Sequence, residues 1–131
     1  MILSEDRLRS MGPLALAHMG DAVYEVLARR EICRKSNTAA GEMHRKTVAF
    51  VSAPAQAGAA ERILPHLTTA EAAVFRRGRN ARSHSAPGSC TEAEYHAATG
   101  LEALFGWLYL REETERIEEL FRMIVGDDDA V

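Results

Sequence analysis

Apolar residues recur along this chain at helical intervals, and no segment makes a convincing strand. Residues 14–30, following Gly12 and Pro13, carry Leu16, Met19, Val23, Val26 and Leu27 on the spacing of one helical face. A polar interruption over 35–38 separates them from a second helix over 39–50, with Met43, Val48 and, just beyond, Val51 near one face. Ser52 is placed to cap a third helix, because Pro54 fits a first turn, and Pro65 stops that helix near Leu64. Thr68 with Glu71 and Thr91 with Glu94 each form a capping-box pattern. The first opens a helix that ends near Gly78; the second opens a long helix reaching Leu110. Between them, residues 79–90 hold Asn80, Pro87 and Gly88 among serines and histidines and read as a loop. A last amphipathic helix carries Ile117, Leu120, Phe121 and Ile124, and the acidic residues 126–131 are expected to fray. The pattern predicts one all-α domain over 1–131, of about six to seven helices, without repeat or linker.

Composition narrows the picture. Hydrophobic residues make up 47% and charged residues 27% of 131, which suits a folded domain with a real core and excludes a disordered chain. No apolar run approaches the roughly 20 residues that span a membrane. The charged first ten residues lack the apolar stretch of an export signal. Cys33 and Cys90 stand alone, as expected of a protein in a reducing cytoplasm. A net charge of −3 argues at first against a nucleic-acid ligand. The charge is uneven, however: Arg76, Arg77, Arg79 and Arg82 crowd together, while acids gather over 112–119 and 127–129. Local field governs attraction of a polyanion more than the total does.

The two most apolar helices each contain a carboxylate where the pattern predicts a core residue: Asp21 within 14–27 and Glu102 within 99–110. A buried carboxylate requires a partner, and no lysine or arginine lies within a turn of either. A distant basic side chain, a proton shared between the two acids, or a divalent cation would serve. A plainer reading, that each acid lies on a polar stripe, also fits the pattern. Gly20, Gly100 and Gly106 flank the two acids, and each costs about 1 kcal/mol against alanine inside a helix. Close packing of two backbones would compensate.

These motifs, taken in order, resemble the ribonuclease III family. Gly20, Asp21, Ala22 and Val23, opening a helix with Glu25 and several arginines, look like its signature helix. Leu101, Glu102, Ala103, Leu104, Phe105 and Gly106, followed by Leu108, Tyr109 and Leu110, look like its second acidic motif. Residues 20–25 (GDAVYE), 77–81 (RGRNA) and 101–110 are closest to the short Mini-III branch, which lacks a double-stranded-RNA-binding domain. His44, Arg45 and Lys46, and Val51, Ser52 and Ala53, agree as well. The resemblance covers nearly the whole chain. Two departures stand out: Ala17 and Thr99 occupy positions where ribonuclease III proteins carry a glutamate and an aspartate.

The resemblance implies an endoribonuclease of RNase III-like fold, working as a two-fold homodimer on double-stranded RNA and leaving 5′-phosphate and 3′-hydroxyl ends. It assigns Mg²⁺, with Mn²⁺ as a plausible substitute, to Asp21 and Glu102 alone. Glu25, His18 and Thr99 are candidates for a place beside the metal's waters, and Met19 and Val23 for the dimer interface. RNA contact falls to Arg76, Arg77, Arg79, Asn80, Arg82 and Ser83. The implied substrate is precursor ribosomal RNA of the large subunit, with a large-subunit ribosomal protein aiding cleavage. Two other classes compete. A non-catalytic double-stranded-RNA-binding or ribosome-assembly protein would have lost cleavage along with two family acids, although Asp21 and Glu102 remain. A helical nucleotide phosphohydrolase would need a histidine–aspartate ligand pair, and no such dipeptide occurs. His44, His84 and His96 share no zinc-ligand spacing.

Overall fold

A computed structural model of the chain describes residues 2–81 and 86–126. Those residues form α1 (Glu5–Ser10), α2 (Pro13–Lys35), α3 (Ala40–Phe50), α4 (Ala53–Ile63), α5 (Thr69–Arg79), α6 (Glu92–Leu110) and α7 (Thr114–Val125), with a 3₁₀ turn at Leu64–His66. There is no strand among them. Nor is any of these helices long and apolar enough to cross a membrane. Both capping boxes form: Thr68 and Thr91 accept from the amides of Glu71 and Glu94, whose carboxylates accept from the threonine amides in return. Ser52 caps α4 by accepting from the Ala55 amide at 3.4 Å, with proline in the first turn.

The helices assemble around α6. Leu101, Ala103, Leu104, Phe105 and Leu108 are all fully buried, which leaves this helix apolar on nearly every side. α2, α4 and α5 pack along it, and α7 closes one end with Ile117, Leu120, Phe121 and Ile124. Tyr24 is a core residue. Its ring meets Phe105 edge-on at a centroid distance of 5.3 Å and Phe121 at 6.1 Å. Burial pushes its hydroxyl far above the ordinary tyrosine range, against a smaller opposing effect of Arg62, so the ring stays neutral.

Several expectations need correction. Val26 is 66% exposed and Val48 is 51% exposed, so neither belongs to the core face. On α3 the inward positions are instead Met43, Thr47 and Phe50, with the buried Thr47 hydroxyl donating to the Met43 carbonyl. Tyr109 is 52% exposed, although Phe105 on the same helix is fully buried. α2 runs five residues past Arg30 because the buried Glu31 is held by Arg34 at 2.8 Å and Lys35 at 3.5 Å, which satisfies its charge within the last turn. The pattern also missed α1. Six residues bury only Leu8, too few to show a period, although Ser4 ahead of Glu5 and Asp6 was a legible cap. Of the acidic tail, residues 127–131 lie outside those described.

One ion pair holds α5 to α7. Arg116 donates to both oxygens of Glu71 at 2.8 Å, and also to Glu119 and to the His66 carbonyl. The Arg116 hydrogen bond, with smaller contributions from the Thr68 backbone and the Arg116 charge, holds the Glu71 carboxyl below its usual range despite burial. A depressed folded-state value stabilises the fold above the unfolded value and loses that contribution as pH falls through the folded one. Glu71→Gln is therefore expected to cost about 2 kcal/mol at neutral pH, below the range for a fully buried pair because Arg116 keeps other partners. Urea unfolding at pH 7 and below pH 4 checks this, the gap between variant and native protein narrowing at the acid end.

Candidate active site

Two backbone crossings bracket one turn of α6. At the first, α2 lies so close that a Cβ on Gly20 would sit 1.6 Å from the Glu102 carbonyl oxygen, and one on Gly106 would sit 2.0 Å from that of Leu16. Only hydrogen fits between the helices there. At the second, a Cβ on Gly78 of α5 would lie 2.7 Å from the Ala103 Cβ and 3.2 Å from the Thr99 carbonyl. Glu102 thus stands between the two crossings. Asp21 follows Gly20 at the first, and the end of α5 with its arginines stands at the second.

The two acids reach this place in different environments. Asp21 is exposed, so the reasoning that made it a core carboxylate in need of a partner does not hold for it. One residue past the contact point, it is rotated by the helical period away from α6 and onto the surface. It lines an open groove of about 480 Å³ with His18, Met19, Ala22 and Glu25. Glu102 is half-buried and does not line that groove. Its Oε2 accepts from Gln56 Nε2 at 3.4 Å.

Sequence reasoning passed over Gln56. It is 2% exposed on α4, its Nε2 also donates to the Val51 carbonyl at 3.0 Å, and its buried Oε1 has no partner. The available signal was a lone amide in a helix otherwise rich in alanine, APAQAGAAERI.

The remaining candidates divide. Glu25 pairs with Arg29 at 2.8 Å, a helical surface pair, and His18 is exposed beside it in the groove. Thr99 is buried, and its hydroxyl donates to the Tyr95 carbonyl of its own helix at 3.1 Å. Ala17 is buried as well, so neither family position that lacks an acid supplies a carboxylate. Val23 is buried in the core and Met19 packs against it in part. The apolar side chains left exposed beside them are Val26 and Tyr109, which share a groove of about 350 Å³ with Met19 and Val23.

Arg76 and Arg77 lie in the helix expected to reach Gly78, and that helix runs on to include Arg79, where a loop was expected. Arg76, Arg77 and Arg79 form the last turn of α5, and Asn80 is its C-cap. All four side chains are exposed. Cations in a last turn complement the helix dipole, which lets the helix run to its end. Arg79 Nε donates to Asn80 Oδ1 at 3.4 Å, and none of the three arginines makes an ion pair among the described residues. Elsewhere Arg29, Arg30, Arg34, Arg45, Arg111 and Arg116 each pair with a glutamate. Three arginines without an ion pair among the described residues thus stand together at the end of α5. Arg82 and Ser83 lie outside the described residues.

Among the described residues, no three histidine, cysteine or acidic side chains gather to hold a metal. Two carboxylates are a hard-oxygen donor set too small for a cage, but they suit Mg²⁺, which keeps several waters and takes one or two carboxylates with substrate phosphates. Gln56 turns its amide nitrogen toward Glu102, so it supplies a hydrogen bond to the carboxylate and no further oxygen. The residues fit a loosely held Mg²⁺.

The Ribonuclease III domain model matches residues 14–113. The chain is 42% identical to the Mini-ribonuclease 3 of Symbiobacterium thermophilum over 86% of its own length and 87% of that protein's. It is 40% identical to the Mini-ribonuclease 3 of Clostridium tetani, over 91% and 80% of the two. A Fusobacterium nucleatum protein known from an X-ray crystal structure superposes with a TM-score of 0.84 at 29% identity, over 95% of each chain.

Proposed function

The chain belongs to the ribonuclease III family, in the branch of the Mini-ribonuclease 3 proteins, and is an endoribonuclease; we propose that it cuts double-stranded RNA with Mg²⁺ at Asp21 and Glu102. The observation that carries this reading is the glycine crossing, which seats the residue before Asp21 on the Glu102 backbone and so sets two acid-bearing turns from distant parts of the chain side by side. In the hydrolysis, water forms a new bond to phosphorus and the bond to the 3′ oxygen breaks, leaving a 5′-phosphate and a 3′-hydroxyl. Mg²⁺, when bound, activates water and offsets charge on the phosphate. Exposed Asp21 is open to substrate, while half-buried Glu102 is held in place. Arg76, Arg77, Arg79 and Asn80 bind phosphates and 2′-hydroxyls across a minor groove, beside the same turn of α6.

A second copy of the chain, related by a two-fold axis, supplies the site for the opposite strand. Exposed Val26 and Tyr109, continuous with Met19 and Val23, support that face as the seam. The substrate is precursor ribosomal RNA of the large subunit in the cytoplasm, with a large-subunit ribosomal protein assisting.

The deciding experiment incubates the purified protein with a long RNA duplex and Mg²⁺, beside a chelator control. Discrete shortening that the chelator abolishes supports the reading. A folded protein that binds the duplex and leaves both it and a ribosomal precursor intact, even with ribosomal proteins, would favour a non-catalytic RNA-binding role. Replacing Arg76, Arg77 and Arg79 together with alanine is expected to weaken duplex binding by an order of magnitude or more and to lower the salt slope by about two to three. Filter binding across a salt series reads both.

A further inference from the structure

We infer that Gln56 is a positioning residue for the Glu102 carboxylate, holding it in one orientation at the cation site. The inference rests on the reading of Asp21 and Glu102 as that site. Gln56 belongs to a helix whose other buried residues are Ala59, Ala60 and Ile63, and it is itself 2% exposed. Burying a primary amide is unfavourable unless both of its ends are matched. Here only one end is. The amide nitrogen donates to the Val51 carbonyl at 3.0 Å and to Glu102 Oε2 at 3.4 Å, while Oε1 has no partner. A backbone carbonyl and a carboxylate accept only, so the nitrogen must face them and the orientation of the amide is set by chemistry.

An apolar side chain of similar volume would avoid the cost of a buried, unsatisfied carbonyl, about 1–3 kcal/mol. Satisfying the Val51 carbonyl accounts for one of the amide's hydrogen bonds, and the second is directed at Glu102. What the amide supplies is a donor to Glu102 tied to a fixed point, because Val51 is the C-cap of α3. A carboxylate anchored through one oxygen loses torsional freedom, which lowers the cost of ordering it around a cation. Oε1 can only accept, and a water proton is the partner it fits.

The test measures Mn²⁺ binding to RNA-free protein by water-proton relaxation for the native chain, Gln56→Leu, Glu102→Gln and the double variant. Thermal melts and a Mg²⁺ titration of duplex cleavage accompany it. Gln56→Leu is expected to weaken Mn²⁺ binding about tenfold, as loss of a ligand's hydrogen-bond partner does, and to raise the Mg²⁺ needed for half-maximal cleavage by a similar factor. Its KM for duplex should hold within about twofold, and the melts report separately the exchange of one unsatisfied acceptor, Gln56 Oε1, for the Val51 carbonyl that loses its donor. In the Glu102→Gln background the same change should have no further effect on Mn²⁺ binding. Should the leucine variant not fold, Gln56→Met, unbranched and of matching length, reads the same quantities. A folded Gln56 variant with native Mn²⁺ binding overturns the inference, as do effects that add in the double variant. If Glu102→Gln leaves Mn²⁺ binding unchanged, the cation-site reading fails first and takes the inference with it.

Discussion

Gly20→Ala is expected to force α2 away from α6 and to cost about 3 kcal/mol or more, at the upper end of overpacking penalties. The added methyl would lie 1.6 Å from the Glu102 carbonyl oxygen and 2.8 Å from the Gly106 nitrogen. Both are backbone atoms of a buried helix, so no side chain can rotate aside. Relief requires the two longest helices to separate, and the same movement draws Asp21 from Glu102. Cleavage should therefore fall further than the loss of folded protein accounts for. Gly58→Ala is the control: nothing lies within 4 Å of its new methyl, and it sits inside α4. That change should stabilise by about 0.5–1 kcal/mol through helix propensity. Equilibrium unfolding of both variants, with cleavage normalised to folded protein, measures the contrast. Native stability in the Gly20 variant would mean the crossing is looser than its geometry states.

Asp21→Asn and Glu102→Gln should each lower cleavage of an RNA duplex on the order of a thousandfold, about 4 kcal/mol of transition-state stabilisation. Each substitution keeps the side chain's size and removes its negative charge, so folding should be preserved. Asp21 is exposed and carries no packing role, so its variant should melt as the native protein does. The double variant should be little worse than either alone, because two ligands of one cation act as a unit. Single-turnover cleavage with saturating enzyme separates this loss from weakened binding. If both single variants cut at native rates, the reaction centre lies elsewhere. If one does, the cation is held chiefly by the other.

The caps and periods along the chain announced most of the fold. Thr68 with Glu71, Thr91 with Glu94 and Ser52 before Pro54 mark helix starts by contacts three residues apart, and such local chemistry survives in any tertiary setting. α1 escaped because a six-residue helix that buries one leucine carries no period. Val26 and Val48 were misplaced because an apolar side chain on a helix need not face the core. Asp21 was singled out for a reason that failed: residues 14–27 are apolar on average, yet its own position points to solvent. Gln56 went unnoticed because a glutamine in a helix is ordinary until its neighbours from α3 and α6 are known.

The residue order alone thus settled the helical class, the starts of the main helices and the family, since each rests on local spacing or on ordered motifs. It also named the two carboxylates and the glycines beside them. Which glycines meet, and that Gly20 seats α2 on the Glu102 carbonyl, came from the packing of residues more than 80 positions apart in the chain. The same packing decided that one acid is open and the other held, and that the arginines of α5 stand beside them. Hydrogen bonds of one turn are written in adjacent residues; contact between helices depends on how all their faces are shared, and only the assembled core decides that.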